Sequence, residues 1–274
     1  MAGSSVAKDY WIGYVIGGGT TPAPHYAQSG WYVPTVTVPA GYSPDSHNSK
    51  YMSYIWVGLG GIGDASTHPL IQAGTEQNIT ASGSVNYNAW WELYTGADGG
   101  ANVIDSKTLF PVKPGDQVGA VIDWVPGSNG ATGSAGVGVC NWNTNTCFNI
   151  STSSNEPGNT AEWILEAPEV AGTAAPLPNF STIQFFNGCW AYATTFSTNH
   201  KPNGTVNRYP LHAGYSPAQG GSSGVTGSIT GTCQTINQGP QWGRYVLTNV
   251  PIMPGVNITP STLGSNGSDF QINY

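Results

Sequence analysis

The stretch that decides the fold is Asn159-Thr160-Ala161-Glu162-Trp163-Ile164-Leu165-Glu166-Ala167-Pro168-Glu169. Read as a strand, it alternates with period two. Glu162, Ile164 and Glu166 share one face, and Ala161, Trp163, Leu165 and Ala167 take the other. The Ala/Trp/Leu face is the one a core requires. The chain has only 14 acidic residues in 274, and three of them fall in these eleven positions. A Glu on a strand is most often simply solvated. Two carboxylates flanking an Ile, opposite a core face, instead point to a groove.

The rest of the chain reads the same way. Helical periodicity is almost absent, and short alternating or apolar runs recur between Gly, Pro, Asn and Ser clusters. Strands are predicted over 10–16, 31–38, 51–59, 69–75, 85–94, 102–110, 117–124, 135–142, 160–167, 182–187, 190–196, 225–232, 243–249 and 268–274. Segments 17–30, 41–50, 125–134, 152–158 and 197–224 read as loops, the last a long insertion. With no internal repeat and no linker, the expectation is one all-β domain over 1–274, an antiparallel β-sandwich of the jelly-roll kind. In 85–94, Val85, Tyr87, Ala89, Trp91 and Leu93 form a core face. Asn86, Asn88, Trp90, Glu92 and Tyr94 form an open one, with rings for contact area and polar groups for orientation. In 69–75, Leu70, Gln72 and Gly74 share a face, which aims Gln72 at the same groove.

Composition bounds the function. Charged residues are 8% of the chain, against about 25% in an ordinary domain. A net charge of -7 argues against a nucleic-acid partner. With 7 Lys+Arg, the chain builds little positive self-repulsion in acid, and few carboxylates are there to be protonated. That suits a protein working at low pH, although an ordinary uncharged polar surface has the same composition. No run of 18 apolar residues occurs, so no membrane span is expected. The first residues carry no hydrophobic signal core, so a secreted protein would be a trimmed form. Cys140, Cys147, Cys189 and Cys233 suggest two disulfides, most simply 140–147 and 189–233. CxxC and HExxH are absent and His25, His47, His68, His200 and His212 are scattered, so neither a metal nor another cofactor is expected.

In order, Trp56-Val57-Gly58-Leu59-Gly60-Gly61, Leu70-Ile71-Gln72-Ala73-Gly74, Tyr87-Asn88-Ala89-Trp90-Trp91-Glu92-Leu93-Tyr94 and Ala161-Glu162-Trp163-Ile164-Leu165-Glu166 resemble the eqolisins, the glutamic peptidases. Trp11-Ile12-Gly13, Thr37-Val38-Pro39 and Ile183-Gln184-Phe185 extend the resemblance over most of the chain. It implies a sandwich of two curved, roughly seven-stranded sheets and a catalytic Gln/Glu dyad on one of them. Gln72 matches the dyad Gln. The second Glu of Glu-Trp-Ile-x-Glu, here Glu166, is taken as the dyad Glu. Trp56, Asn88, Trp90, Glu92 and Tyr94 match residues lining the substrate cleft. The chain departs from the pattern at Gly60 and Asn88, where Asp is expected, at Glu76 in place of an Asp, and in the 197–224 insertion.

The residue types suit peptide hydrolysis. A Glu takes a proton from water and returns it to the leaving amine. A Gln orients the water through its carbonyl and steadies the oxyanion through its NH2. The expectation is a secreted, monomeric acid endopeptidase acting on polypeptides. Two alternatives stay open: a jelly-roll glycoside hydrolase using Glu92 and Glu166, and a non-catalytic carbohydrate-binding module.

Overall fold

A computed structural model describes residues 4–7, 10–17, 23–42, 51–62, 67–96, 102–104, 110–127, 132–170, 173–192, 233–239, 243–246 and 257–274. The expected strand at 225–232 and the 197–224 insertion lie outside the described residues.

The described strands are, in chain order, β1 (Ser4–Ala7), β2 (Trp11–Gly17), β3 (Pro24–Tyr32), β4 (Val36–Thr37), β5 (Tyr51–Leu59), β6 (Leu70–Ile79), β7 (Val85–Tyr94) and β8 (Asn102–Ile104). They continue with β9 (Gln117–Pro126), β10 (Thr132–Asn141), β11 (Thr146–Asn155), β12 (Thr160–Glu166), β13 (Glu169–Val170), β14 (Thr173–Ala174), β15 (Asn179–Phe180), β16 (Ile183–Tyr192), β17 (Gln234–Thr235), β18 (Gly243–Val246) and β19 (Phe270–Ile272). The first sheet has the order β1-β18-β2-β12-β5-β6-β7-β8, and the second runs β11-β10-β9-β3-β16-β17, with β19 also on β16. All pairs in both sheets are antiparallel except β1 with β18.

The two sheets bury one core between them, as alternation in the strands requires. Ile12, Ile55, Val57, Ile71, Ala161, Trp163 and Leu165 meet Ala27, Trp31, Val118, Ile122, Val137 and Phe185 of the second sheet. Two indoles key the sheets together across this core. Trp163 Nε1 donates to the Gln28 carbonyl at 2.8 Å, and Trp31 Nε1 donates to Thr75 Oγ1 at 2.9 Å. Buried indole N–H groups need such partners. Both bonds reach β3 from strands of the first sheet, β12 and β6.

Both expected disulfides are present, Cys140–Cys147 across the β10–β11 hairpin and Cys189–Cys233. The link from β11 to β12 is pinned by His25, whose Nε2 lies 2.8 Å from Glu156 Oε1 and whose ring meets Trp124 edge-on at 4.7 Å. Burial pulls the His25 pKa below its ordinary value, and Glu156 offsets only part of that.

Three departures from the expected strands have local causes. β3 begins at Pro24, inside a segment read as loop. β11 was not expected: its run Thr-Cys-Phe-Asn-Ile-Ser-Thr-Ser-Ser-Asn is polar because it is an edge strand. β16 is one strand where two were expected, because a register shift between Phe186 and Cys189, with Asn187 at φ 54°, interrupts its pattern without ending it.

Candidate active site

Strands β12, β5, β6 and β7 lie side by side, and their outer face is built in rungs. The rung at Gly58 joins Glu162, Gly58, Gln72 and Glu92. The next joins Ile164, Trp56, Gly74 and Trp90, and the one beyond joins Glu166, Tyr54, Glu76 and Asn88. Directly opposed residues point to the same face. Gln72, Trp56, Asn88, Trp90, Glu92 and Tyr94 therefore all stand on the face expected of them.

Glu166 does not meet Gln72. It lies four residues along the strand and two strands across, about 16 Å between Cα atoms at ordinary strand spacings. Glu162 sits on Gln72's own rung, about 10 Å away between Cα atoms, with Gly58 on the strand between them. The register thus sets Glu162, and not the Glu166 expected from the resemblance, on the rung of Gln72. Alternation put both carboxylates on the groove face, but which one faces Gln72 depends on how three strands align.

Glu162 is fully buried. Its Oε1 accepts from the Gly61 backbone N–H at 3.0 Å. Gly60 makes the turn that delivers this donor. Its φ is +96°, and a Cβ there would fall 2.4 Å from the Pro69 carbonyl oxygen and 2.5 Å from the Gly158 nitrogen. That is why the site has no room for the Asp expected at this position. Gln72 is 6% exposed. Its Nε2 donates to Glu92 Oε2 at 2.8 Å, while its Oε1 is buried with no hydrogen-bond partner among the described residues. Burial raises the pKa of Glu92, and the Gln72 bond partly opposes that.

Around this pair the face is more closed than the sequence suggested. Trp90 is 1% exposed and packs on Tyr54 at 4.9 Å, in a cluster with Trp11, Val15, Trp56, Leu70 and Ile164. It is packed into this face, not an open platform. Trp56 is buried, meets Trp11 edge-on at 4.9 Å, and donates from Nε1 to Glu166 Oε2 at 2.7 Å. Asn88 Nδ2 donates to Glu76 Oε2 at 3.4 Å and Asn78 Nδ2 to Glu76 Oε1 at 3.0 Å. Burial drives the Tyr54 pKa well above its usual value, helped by Glu76, Glu166 and Glu92. Trp11 entered the sequence reading only as part of the resemblance, and Tyr54 and Tyr245 escaped it. For Tyr54 the signal was available, since period two from Trp56 places it on the groove face.

The spacing of Glu92 and Glu166 bears on the glycosidase alternative. They are three strands and four residues apart, about 19 Å between Cα atoms. Paired glycosidase carboxyls stand about 5–9.5 Å apart, so these two do not form that pair. Among the described residues, no group of three or more His, Cys, Asp and Glu side chains is placed to hold a metal.

The model of the Peptidase A4 family matches residues 9–208. The structure is similar to that of scytalidoglutamic peptidase, solved with a peptide-based transition-state analogue, with a TM-score of 0.56 and 16% identity over 97% of this chain and 98% of that one. At that identity the likeness is one of fold. No curated protein sequence matches the chain.

Proposed function

Since the chain belongs to the Peptidase A4 family and is therefore a glutamic endopeptidase, we propose that Glu162 and Gln72 are its reacting pair and that it works in acid, outside the cell. Polypeptides are its substrates. The observation that carries the assignment is the shared rung: Glu162 and Gln72 flank Gly58, and the edge of the Trp56 ring lies over that glycine, bordering the gap between them.

A water in this gap lies within reach of Glu162 and of the unpartnered Gln72 Oε1. Glu162 takes the proton as the water oxygen attacks the scissile carbonyl carbon. One Gln72 N–H is held by Glu92, which fixes the amide plane. The second N–H is left for the oxyanion that forms. Collapse of the tetrahedral intermediate breaks the C–N bond, and Glu162 returns the proton to the amine nitrogen. Because the base is buried, few competing waters surround it. A carboxylate base is matched to acid conditions, near the ordinary Glu range of about 4. The two disulfides support an oxidising, extracellular setting.

The test is turnover of a denatured protein substrate by purified variants across pH 2–7. Glu162→Gln keeps the shape and removes the base, so kcat falls by about 10²–10⁴-fold. Gln72→Ala falls comparably, and the wild-type optimum lies below about pH 5. A Glu162→Gln enzyme with near wild-type kcat would refute the pair.

A further inference from the structure

Glu166 is left without a role in this chemistry, yet it makes one of the site's shortest hydrogen bonds. Its Oε2 accepts from Trp56 Nε1 at 2.7 Å. The opposite end of the same indole reaches the reacting rung. A Cβ added to Gly58 would meet Trp56 Cζ3 at 2.8 Å, so the far edge of the ring lies over Gly58, between Glu162 and Gln72. Trp56 thus spans from Glu166 to the floor of the proposed site.

We propose that Glu166 is a positioning residue: it holds the Trp56 indole so that the ring edge forms the floor on which the scissile peptide lies between Glu162 and Gln72. This rests on the Glu162/Gln72 reading. A buried indole N–H demands an acceptor. Three features fix the plane of the ring: the hydrogen bond at Nε1, Trp11 against it at 4.9 Å, and the sheet beneath. A rigid floor matters because a shift of about 1 Å at a reacting centre costs about 10²-fold in rate. Glu166 therefore acts through Trp56 and needs to be an acceptor, whereas Glu162 needs to be a base.

That difference sets the experiment. Steady-state kinetics are measured for Glu166→Gln, Glu166→Leu, Trp56→Phe and the Glu166→Leu/Trp56→Phe double variant, beside Glu162→Gln. The Trp56 indole ¹H–¹⁵N resonance, assigned by its loss in Trp56→Phe, is followed in each. Glu166→Gln keeps a carbonyl acceptor, so kcat falls less than about tenfold and the resonance stays single. Glu166→Leu loses about a hundredfold in kcat and the resonance moves upfield, while the rest of the spectrum stays dispersed. In the Trp56→Phe background, Glu166→Leu adds less than about threefold, because the bond it would remove is already gone. Two results overturn the inference: Glu166→Gln as inactive as Glu166→Leu, or the two single losses multiplying in the double variant. An unmoved resonance with unchanged kcat in Glu166→Leu overturns it too. Should Glu162→Gln retain turnover, the reacting pair itself fails, whatever Trp56 does.

Discussion

Gly58→Ala places one methyl group in the middle of the proposed site, and its effect can be worked from distances. The new Cβ would lie 2.8 Å from Trp56 Cζ3, 3.1 Å from Leu70 Cδ1 and 3.2 Å from the Ile71 carbonyl oxygen. Carbon atoms rest at about 3.5–4.0 Å from one another, so the indole edge has to give way by about 1 Å. It has little freedom to do so, since Glu166 holds its Nε1 and Trp11 lies against the ring at 4.9 Å. Overfilling of this kind costs about 1–3 kcal/mol of stability. At a few degrees of Tm per kcal/mol for a chain of this length, that is a drop of several degrees. The catalytic effect is larger in proportion. Pushing the floor by about 1 Å between base and amide lowers kcat about 10²-fold, with the fold intact at the assay temperature. Thermal unfolding by circular dichroism and kcat on a protein substrate, measured on one preparation, separate the two effects. A Gly58→Ala enzyme with wild-type kcat would refute the view that catalysis happens across Gly58, and would leave Glu162 and Gln72 as neighbours by accident.

Two other expectations concern stability. Cys189–Cys233 closes a loop of 44 residues and Cys140–Cys147 one of 7. Chain entropy assigns about 4 kcal/mol to the first and about 2 to the second, so Cys189→Ala/Cys233→Ala lowers the denaturant midpoint more than Cys140→Ala/Cys147→Ala; the reverse order would refute it. For His25, burial holds the folded pKa below the unfolded one. Its contribution to stability is therefore present above the unfolded value and is lost as pH falls through the lower folded value. His25→Gln removes that slope, so the wild-type Tm declines more steeply than the variant's from pH 7 towards 5; parallel Tm profiles would refute the linkage.

The sequence revealed faces better than partners. Period two in 160–167 and 85–94 separated the two faces, because each strand's alternation is written in its own residues, except that Val85, expected in the core, is exposed at the strand's start. Registers between strands are not so written, and that is why alternation did not choose between Glu162 and Glu166, and Glu166 was taken from the resemblance. The register that sets Glu162 on Gln72's rung runs through Gly58, a residue with no side chain to announce itself. β3 was hidden for a related reason. Its Ser29-Gly30 pair looks like a turn, yet Ser29 Oγ donates to the Phe186 carbonyl at 2.9 Å. Gly30 is a glycine because a Cβ there would fall 2.3 Å from Phe186 Cε2. Both demands come from β16, more than 150 residues away in the chain. Gly60 looked like a lost Asp; its φ of +96° and the Pro69 and Gly158 backbone crowding it leave no place for a side chain.

The placement of β12 between β2 and β5 also governs how the protein is born. β5 ends at Leu59 and β12 begins at Thr160, 101 residues later. At about 5–20 residues per second, a ribosome takes about 5–20 s to make that interval. Throughout it, β2 and β5 each present an unpaired edge, the kind of surface that recruits a neighbouring chain. Long-range pairings of this sort also make for slow folding. The strand that carries Glu162 is thus the last to close the centre of its sheet. Nascent chains stalled before Thr160 should aggregate or bind chaperones, and release of ten more residues should end it.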